Sequence, residues 1–241
     1  MRLEILRRKS ASDDPYWQSF LYEPEAEAET VATALTSLNE RTDLRDELGE
    51  PAPPIRWECS CLQKKCGACA MVINGRPGLA CDARLSAYRK AIRLEPLRKF
   101  PVIADLIVDR SVLQENLAAM KLWFTEKAVQ HQRASEVGYE ASRCLQCGCC
   151  LEVCPNFDPE GAFFGMAAVV PVTRLLAELP ASQREEISRL YREHVFEGCG
   201  KSLACRNICP AGIDIEEMLV NSNAAAVWKR FLKKKEKHHE Q

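Results

Sequence analysis

The amino-acid sequence predicts an α+β protein in two domains, a small mixed domain over residues 1–105 and a helical one over residues 106–241. Three observations carry this. Short strand-like segments surround a single helical pattern in the first third of the chain. After Pro101 the periodicity turns helical. Cysteines cluster once in each part, over residues 61–81 and again over 144–209.

Taken in order, Arg2 to Arg7 and Gln18 to Glu23 alternate as strands do, and Thr30 to Asn39 has helical spacing with a threonine placed to cap it. Met71-Val72-Ile73, then Asn74-Gly75, then Leu79 to Asp82 predicts a hairpin, because Asn-Gly supplies the positive φ angles of a tight primed turn. Tyr88 to Leu94 is a further strand candidate. In the second part Ser111 to Phe124, Ala167 to Glu178, Gln183 to Val195 and Ile215 to Lys235 carry helical periodicity, with Pro171 set to kink the second of them.

Composition bounds what such a chain does. Of 241 residues 46% are hydrophobic and 28% charged, with a formal net charge of −1, which suits a soluble globular protein. Thirteen cysteines without a charged and apolar leader favour metal ligation in a reducing compartment over a disulfide framework. The longest apolar stretch, Gly161 to Val172, is interrupted by Gly165 and Pro171 and is shorter than the ~20 residues a spanning helix needs, so contact with a membrane is expected to be peripheral. No basic stripe interleaved with aromatics marks a nucleic-acid surface. The segment Lys229 to Lys237 is basic, with Trp228, Phe231 and Leu232 beside it. It is either a solvated helix end or a docking element for anionic lipid or a partner.

The cysteine spacings are specific. Cys61, Cys66, Cys69 and Cys81 form C-x4-C-x2-C with a fourth cysteine downstream, the plant-type [2Fe-2S] arrangement, in which Gly67 lets the loop turn and Ala68 and Ala70 leave room for a cluster. Zinc held by the same four thiolates is the alternative, giving an interaction module without redox chemistry. Cys144, Cys147, Cys150 and Cys154-Pro155 form the C-x2-C-x2-C-x3-C-P run of two-cluster ferredoxins, echoed by Cys199, Cys205 and Cys209-Pro210. In that pattern the fourth cysteine of each run serves the other cluster. Cys144, Cys147, Cys150 and Cys209 are therefore expected to hold [4Fe-4S], leaving Cys154, Cys199 and Cys205 for a centre that lacks a fourth thiolate because Ser202 stands in its place. Three thiolates predict [3Fe-4S], with a Ser202-ligated [4Fe-4S] as the alternative. Cys59 and Cys149 fit neither register and are expected to be small buried or loop-lining thiols.

Other signals carry less. Gly200-Lys201-Ser202 lacks the opening glycine of a phosphate loop, no G-x-G-x-x-G follows a strand, and the four histidines are expected at the surface. No constellation of acid, base and nucleophile is present, so no catalytic residue is assigned and substrate chemistry is expected on another subunit.

Cys66-Gly67-Ala68-Cys69-Ala70-Met71, Leu79-Ala80-Cys81, Glu95-Pro96-Leu97, the segment Pro101 to Asp109 and Phe164-Gly165-Met166-Ala167-Ala168, together with the ligand order, resemble the iron-sulfur subunit of succinate dehydrogenases and fumarate reductases. The resemblance implies a ferredoxin-like (β-grasp) [2Fe-2S] domain ahead of an all-α two-cluster domain. It also implies a relay from a FAD-containing flavoprotein subunit through [2Fe-2S], [4Fe-4S] and [3Fe-4S] to a quinone at a membrane anchor subunit, on the cytoplasmic side of a bacterial or archaeal plasma membrane. Pro155, Asn156 and Ser202 fall in the vicinity that the resemblance implies for the quinone. Departures gather there. Pro155-Asn156-Phe157-Asp158-Pro159 lacks the usual tryptophan pair, Gly200 replaces a frequent histidine, and Ser202 replaces a branched aliphatic. These favour a menaquinone-type fumarate reductase over a standard ubiquinone site. They also keep open the same wiring serving another flavoprotein dehydrogenase or a soluble thiol-linked reductase. Lys64-Lys65 is expected to place positive charge beside the first cluster and raise its potential.

Overall fold

The computed structural model describes residues 1–123, 136–176, 179 and 181–228. The chain divides into two compact units, Met1–Arg110 with Cys147–Glu152, and Ser111–Gln146 with Val153–Gln241.

The first unit is built on a five-stranded sheet of order β2-β1-β5-β3-β4, comprising β1 (Arg2–Arg7), β2 (Tyr16–Leu21), β3 (Ala70–Ile73), β4 (Arg76–Leu79) and β5 (Ala91–Glu95). β1 runs antiparallel to β2 and parallel to β5. Alternation along β1 buries Leu3, Ile5 and Arg7, and Phe20, Ile92 and Leu94 are likewise fully buried in this unit. Each buried aliphatic contributes roughly 1.5–3 kcal/mol. Helix α1 (Val31–Asn39) starts at a reciprocal cap in which Thr30 and Thr33 satisfy each other's backbone N–H groups, and it buries Val31, Ala34, Leu35 and Leu38. Its first amides reach out of the helix: Val31 N–H donates to the Ala83 carbonyl and Ala32 N–H to the Ala80 carbonyl, which fixes the chain on both sides of Cys81.

The hairpin forms where Asn74-Gly75 predicts it, with φ of 48° and 78° at the two turn residues. Its second strand is Arg76–Leu79 rather than Leu79–Asp82, because a two-residue turn sets Arg76 opposite Ile73 and leaves no residues to spare. Pro77 is tolerated since β4 is an edge strand. β2 begins two residues earlier than expected and ends when β1 runs out of partners at Arg2↔Leu21. Leu85–Ala87 is a 3-10 turn, which shortens the last expected strand to Ala91–Glu95.

A small pair, β6 (Val102–Ala104) and β7 (Ile107–Val108), turns at Asp105, a residue with φ of 45°. Its buried carboxylate accepts from the Arg8 and Arg56 amides, both at 2.9 Å, and lies 3.0 Å from Arg7 Nε in an ion pair. Arg7 also donates to Gln18 Oε1 and to the Pro53 and Pro54 carbonyls. One buried ion pair thus ties the end of β1 to the segment that leads into the first cysteine loop.

The described residues of the second unit are helices and loops. Ser111–Ala119 stops short of the expected Phe124, closing at Lys121, whose φ is 53° and whose amide donates to the Ala118 carbonyl. Phe124 itself lies outside the described residues. Met166–Leu176 contains Pro171 and buries Val169, Val170, Val172 and Thr173. Ala181–Tyr191 and Ile215–Asn223, the latter capped by Asp214, each continue into a π turn, Arg192–Phe196 and Ala224–Trp228. The additional helix Glu136–Ser142 had no sequence signal. The basic segment from Lys229 onward lies outside the described residues.

Candidate metal centres

The first cysteine loop is wound by three residues with positive φ, Leu62, Lys64 and Gly67. This winding turns amides onto sulfur. Gln63 N–H and Lys65 N–H donate to Cys61 Sγ, and Lys64 N–H to Cys81 Sγ, each at 3.3 Å. The two amides on Cys61 bring its thiol down to about 7, whereas burial pushes Cys69 up to about 12. Cys61 stands within hydrogen-bonding reach of Cys66, and Cys69 of Cys81, while Cys66 also acts on Cys69, so the four thiols are neighbours. Ala80 N–H to the Cys69 carbonyl, 3.0 Å, ties the second pair together through the backbone. Four neighbouring cysteines are the donor set that would hold a binuclear centre. A single zinc ion instead needs four sulfurs equidistant from one point. The donor set fits [2Fe-2S] for a second reason: amides aimed at sulfur compensate the anionic cluster.

Of the two lysines expected to place positive charge beside this loop, Lys64 is ion-paired at the surface, its Nζ 2.7 Å from Asp82 Oδ2. Arg110 supplies a charge that sequence reasoning missed. Its guanidinium donates to the Gly67 carbonyl at 3.0 Å and the Ala68 carbonyl at 3.2 Å, and it pairs with Glu58. An arginine more than forty residues beyond the loop carries no local sign of this contact.

Of the second set, Cys147 and Cys150 belong to the first unit and Cys144 and Cys209 to the second. Cys147 is buried and brought down to about 7, first by a hydrogen bond from the Cys149 thiol, with Arg110 adding to the effect. Cys149 is fully buried as expected and contacts Cys147, while Cys59 is exposed. Gln146 and Gly148, with φ of 50° and 85°, flank Cys147. A Cβ at Gly148 would stand 2.9 Å from Phe100 Cζ. Gly148→Ala therefore combines backbone strain with a clash and is expected to cost about 1–3 kcal/mol in thermal unfolding.

Cys154, Cys199 and Cys205 are neighbours in the second unit. Cys205 is pushed up to about 11, chiefly by burial, with the Cys154 and Cys199 thiolates adding to it. Ser202 is exposed, and its hydroxyl accepts from Ala204 N–H at 3.5 Å. Lys201 and Leu203 on either side both have φ of 54°, repeating the left-handed flanks of Cys147. Position 202 is thus held in a ligand-loop conformation without a ligand thiol.

Pro155 and Asn156 are exposed, and Asn156 Nδ2 donates to the Gly198 carbonyl at 2.7 Å. A Cβ at Gly200 would stand 2.9 Å from that Nδ2, so the asparagine and the glycine form one matched departure. His194 departs from the expected surface position: it is mostly buried, stacked on Phe164 at 4.2 Å with Nδ1 3.0 Å from the Ala162 carbonyl oxygen. His131, His238 and His239 lie outside the described residues.

Two family models match in order, a 2Fe-2S iron-sulfur cluster binding domain over residues 2–115 and a 4Fe-4S dicluster domain over residues 140–213. The succinate dehydrogenase iron-sulfur subunit of Bacillus subtilis is 33% identical over 92% of this chain and 91% of its own length. The chain belongs to this family of iron-sulfur subunits. The fumarate reductase iron-sulfur subunit of Haemophilus influenzae is 30% identical, covering 80% of this chain and 85% of its own. A chain of the Mycobacterium smegmatis Sdh1 complex in the apo form superposes with a TM-score of 0.74 over 95% of this chain and 96% of its own, at 22% identity, and so shares the fold. The iron-sulfur subunit has no described helix long and apolar enough to cross a membrane.

Proposed function

We propose that this iron-sulfur subunit relays electrons between a FAD-containing subunit that interconverts fumarate and succinate and a quinone at a membrane anchor subunit. Within the subunit, a β-grasp domain over residues 1–105 holds [2Fe-2S] on Cys61, Cys66, Cys69 and Cys81. An all-α domain over 106–241 carries the remaining seven ligands: Cys144, Cys147, Cys150 and Cys209 for [4Fe-4S], and Cys154, Cys199 and Cys205 for [3Fe-4S]. Each centre, when bound, supplies a one-electron acceptor and donor. The chain's part is to hold the thiolates, aim amides at them and exclude water from buried ligands such as Cys69 and Cys147. Pro155, Asn156 and Ser202 are assigned to the vicinity of the quinone, and their exposure supports that assignment. The subunit sits peripherally on the cytoplasmic face of the plasma membrane.

The amides aimed at the Cys61 and Cys81 sulfurs in the first loop support this reading, together with relatives named as succinate dehydrogenase and fumarate reductase iron-sulfur subunits. Co-purification tests it. The native complex is expected to contain a flavin-bearing subunit and to couple fumarate or succinate turnover to quinone in membranes. A complex that uses a thiol donor and stays in the soluble fraction would instead place the same wiring in a soluble thiol-linked reductase.

A further inference from the structure

Arg110 serves no ligand role, yet its side chain engages the first cysteine loop from outside. Both of its contacts there are carbonyls between two ligands, Gly67 and Ala68 between Cys66 and Cys69. A trans peptide carries its N–H on the side opposite its C=O. Drawing the Gly67 and Ala68 oxygens toward the guanidinium therefore turns the Ala68 and Cys69 N–H groups to the other side of the loop. The φ of 76° at Gly67 permits that orientation.

The charge itself is poorly screened. The Arg110 side chain is 17% exposed, and its partner Glu58, at 40%, faces water more. A cation fixed beside a centre that gains negative charge on reduction favours the reduced form, and a nearby carboxylate opposes it.

We propose that Arg110 is a positioning residue for the two-iron centre, orienting the 66–69 loop through its carbonyls, and that the Arg110–Glu58 pair sets the midpoint potential of that centre. The inference rests on the first ligand set proposed above. It assigns a tuning role to two residues outside every cysteine motif, and it makes the sign of each substitution definite. Losing the cation leaves Glu58 uncompensated near the loop, so reduction becomes harder. Losing the carboxylate frees the cation, so reduction becomes easier.

The test is a redox titration of the full chain with its clusters, following the paramagnetic signal of the reduced two-iron centre. Arg110→Gln is expected to disfavour reduction about tenfold, a shift of about 59 mV to more negative potential for a one-electron couple. Glu58→Gln is expected to shift it threefold or more in the opposite direction. Arg110→Lys, which keeps the charge, is expected to stay within threefold of the wild type. A purely structural role would move both neutral variants the same way, so shifts of the same sign overturn the proposal. So do shifts within twofold for both, or a tenfold fall with lysine in place. Should Arg110→Gln lose the centre, Glu58→Gln decides alone: an upward shift upholds the proposal, and none or a downward one overturns it. A wild-type chain with no two-iron signal overturns the ligand set and this inference with it. A normal wild-type signal with unmoved variants overturns the inference alone.

Discussion

Replacing Ser202 with cysteine is expected to abolish the oxidised three-iron signal and install a fourth iron at the third centre, with a lower potential. The backbone is already arranged for it. In the first run the ligand Cys147 stands between left-handed Gln146 and Gly148, and in the second Ser202 stands between left-handed Lys201 and Leu203. The donor differs, and so does its exposure, Cys147 being buried and Ser202 exposed. A serine hydroxyl gives up its proton far less readily than a thiol. Low-temperature electron paramagnetic resonance of the oxidised protein decides the matter. Persistence of the full three-iron signal in Ser202→Cys would show that position 202 does not face the centre.

The second large effect concerns stability. Asp105→Asn is expected to destabilise the first unit by about 3–5 kcal/mol, because it leaves the Arg7 guanidinium buried without its counter-charge. Both side chains are almost wholly removed from water, at 2% and 5% exposure. Asparagine tolerates the left-handed backbone at position 105, so the loss isolates charge from conformation. It also replaces one of the two carboxylate oxygens that accept from Arg8 and Arg56 with an amide that cannot accept. Thermal unfolding followed by circular dichroism should fall by roughly 10 °C or more. Because Arg7 also holds the Pro53 and Pro54 carbonyls, the same variant should retain less iron in the first loop. A change below about 1 kcal/mol would mean that the pair is solvated in the folded protein.

What could be read from the residues follows from how local each determinant is. Asn74-Gly75 specifies its turn and Thr30 its helix start within a few residues, and both appear where expected. The cysteine spacings are covalent facts, which is why candidate ligands could be proposed before any coordinate. Strand ends were less legible, since β2 and β4 end where their partners end, and partners are chosen across the sheet. Arg7, Asp105 and Arg110 were illegible for the same reason. A charged residue is usually a surface residue, and only the fold reveals that these are buried or partly buried against carbonyls and amides that need them. His194 belongs with them: nothing local marks its stack on Phe164. The π turns Arg192–Phe196 and Ala224–Trp228 share the 3.6-residue signal of the helices that precede them, and periodicity cannot separate the two.

The account depends on three separate inorganic centres being held by one chain. Iron and acid-labile sulfide determined on anaerobically purified protein test that most directly. The prediction is about nine irons and a comparable amount of sulfide per polypeptide, distributed over one two-iron, one four-iron and one three-iron centre. A chain carrying only one or two irons, or zinc in place of iron and no sulfide, would contradict it.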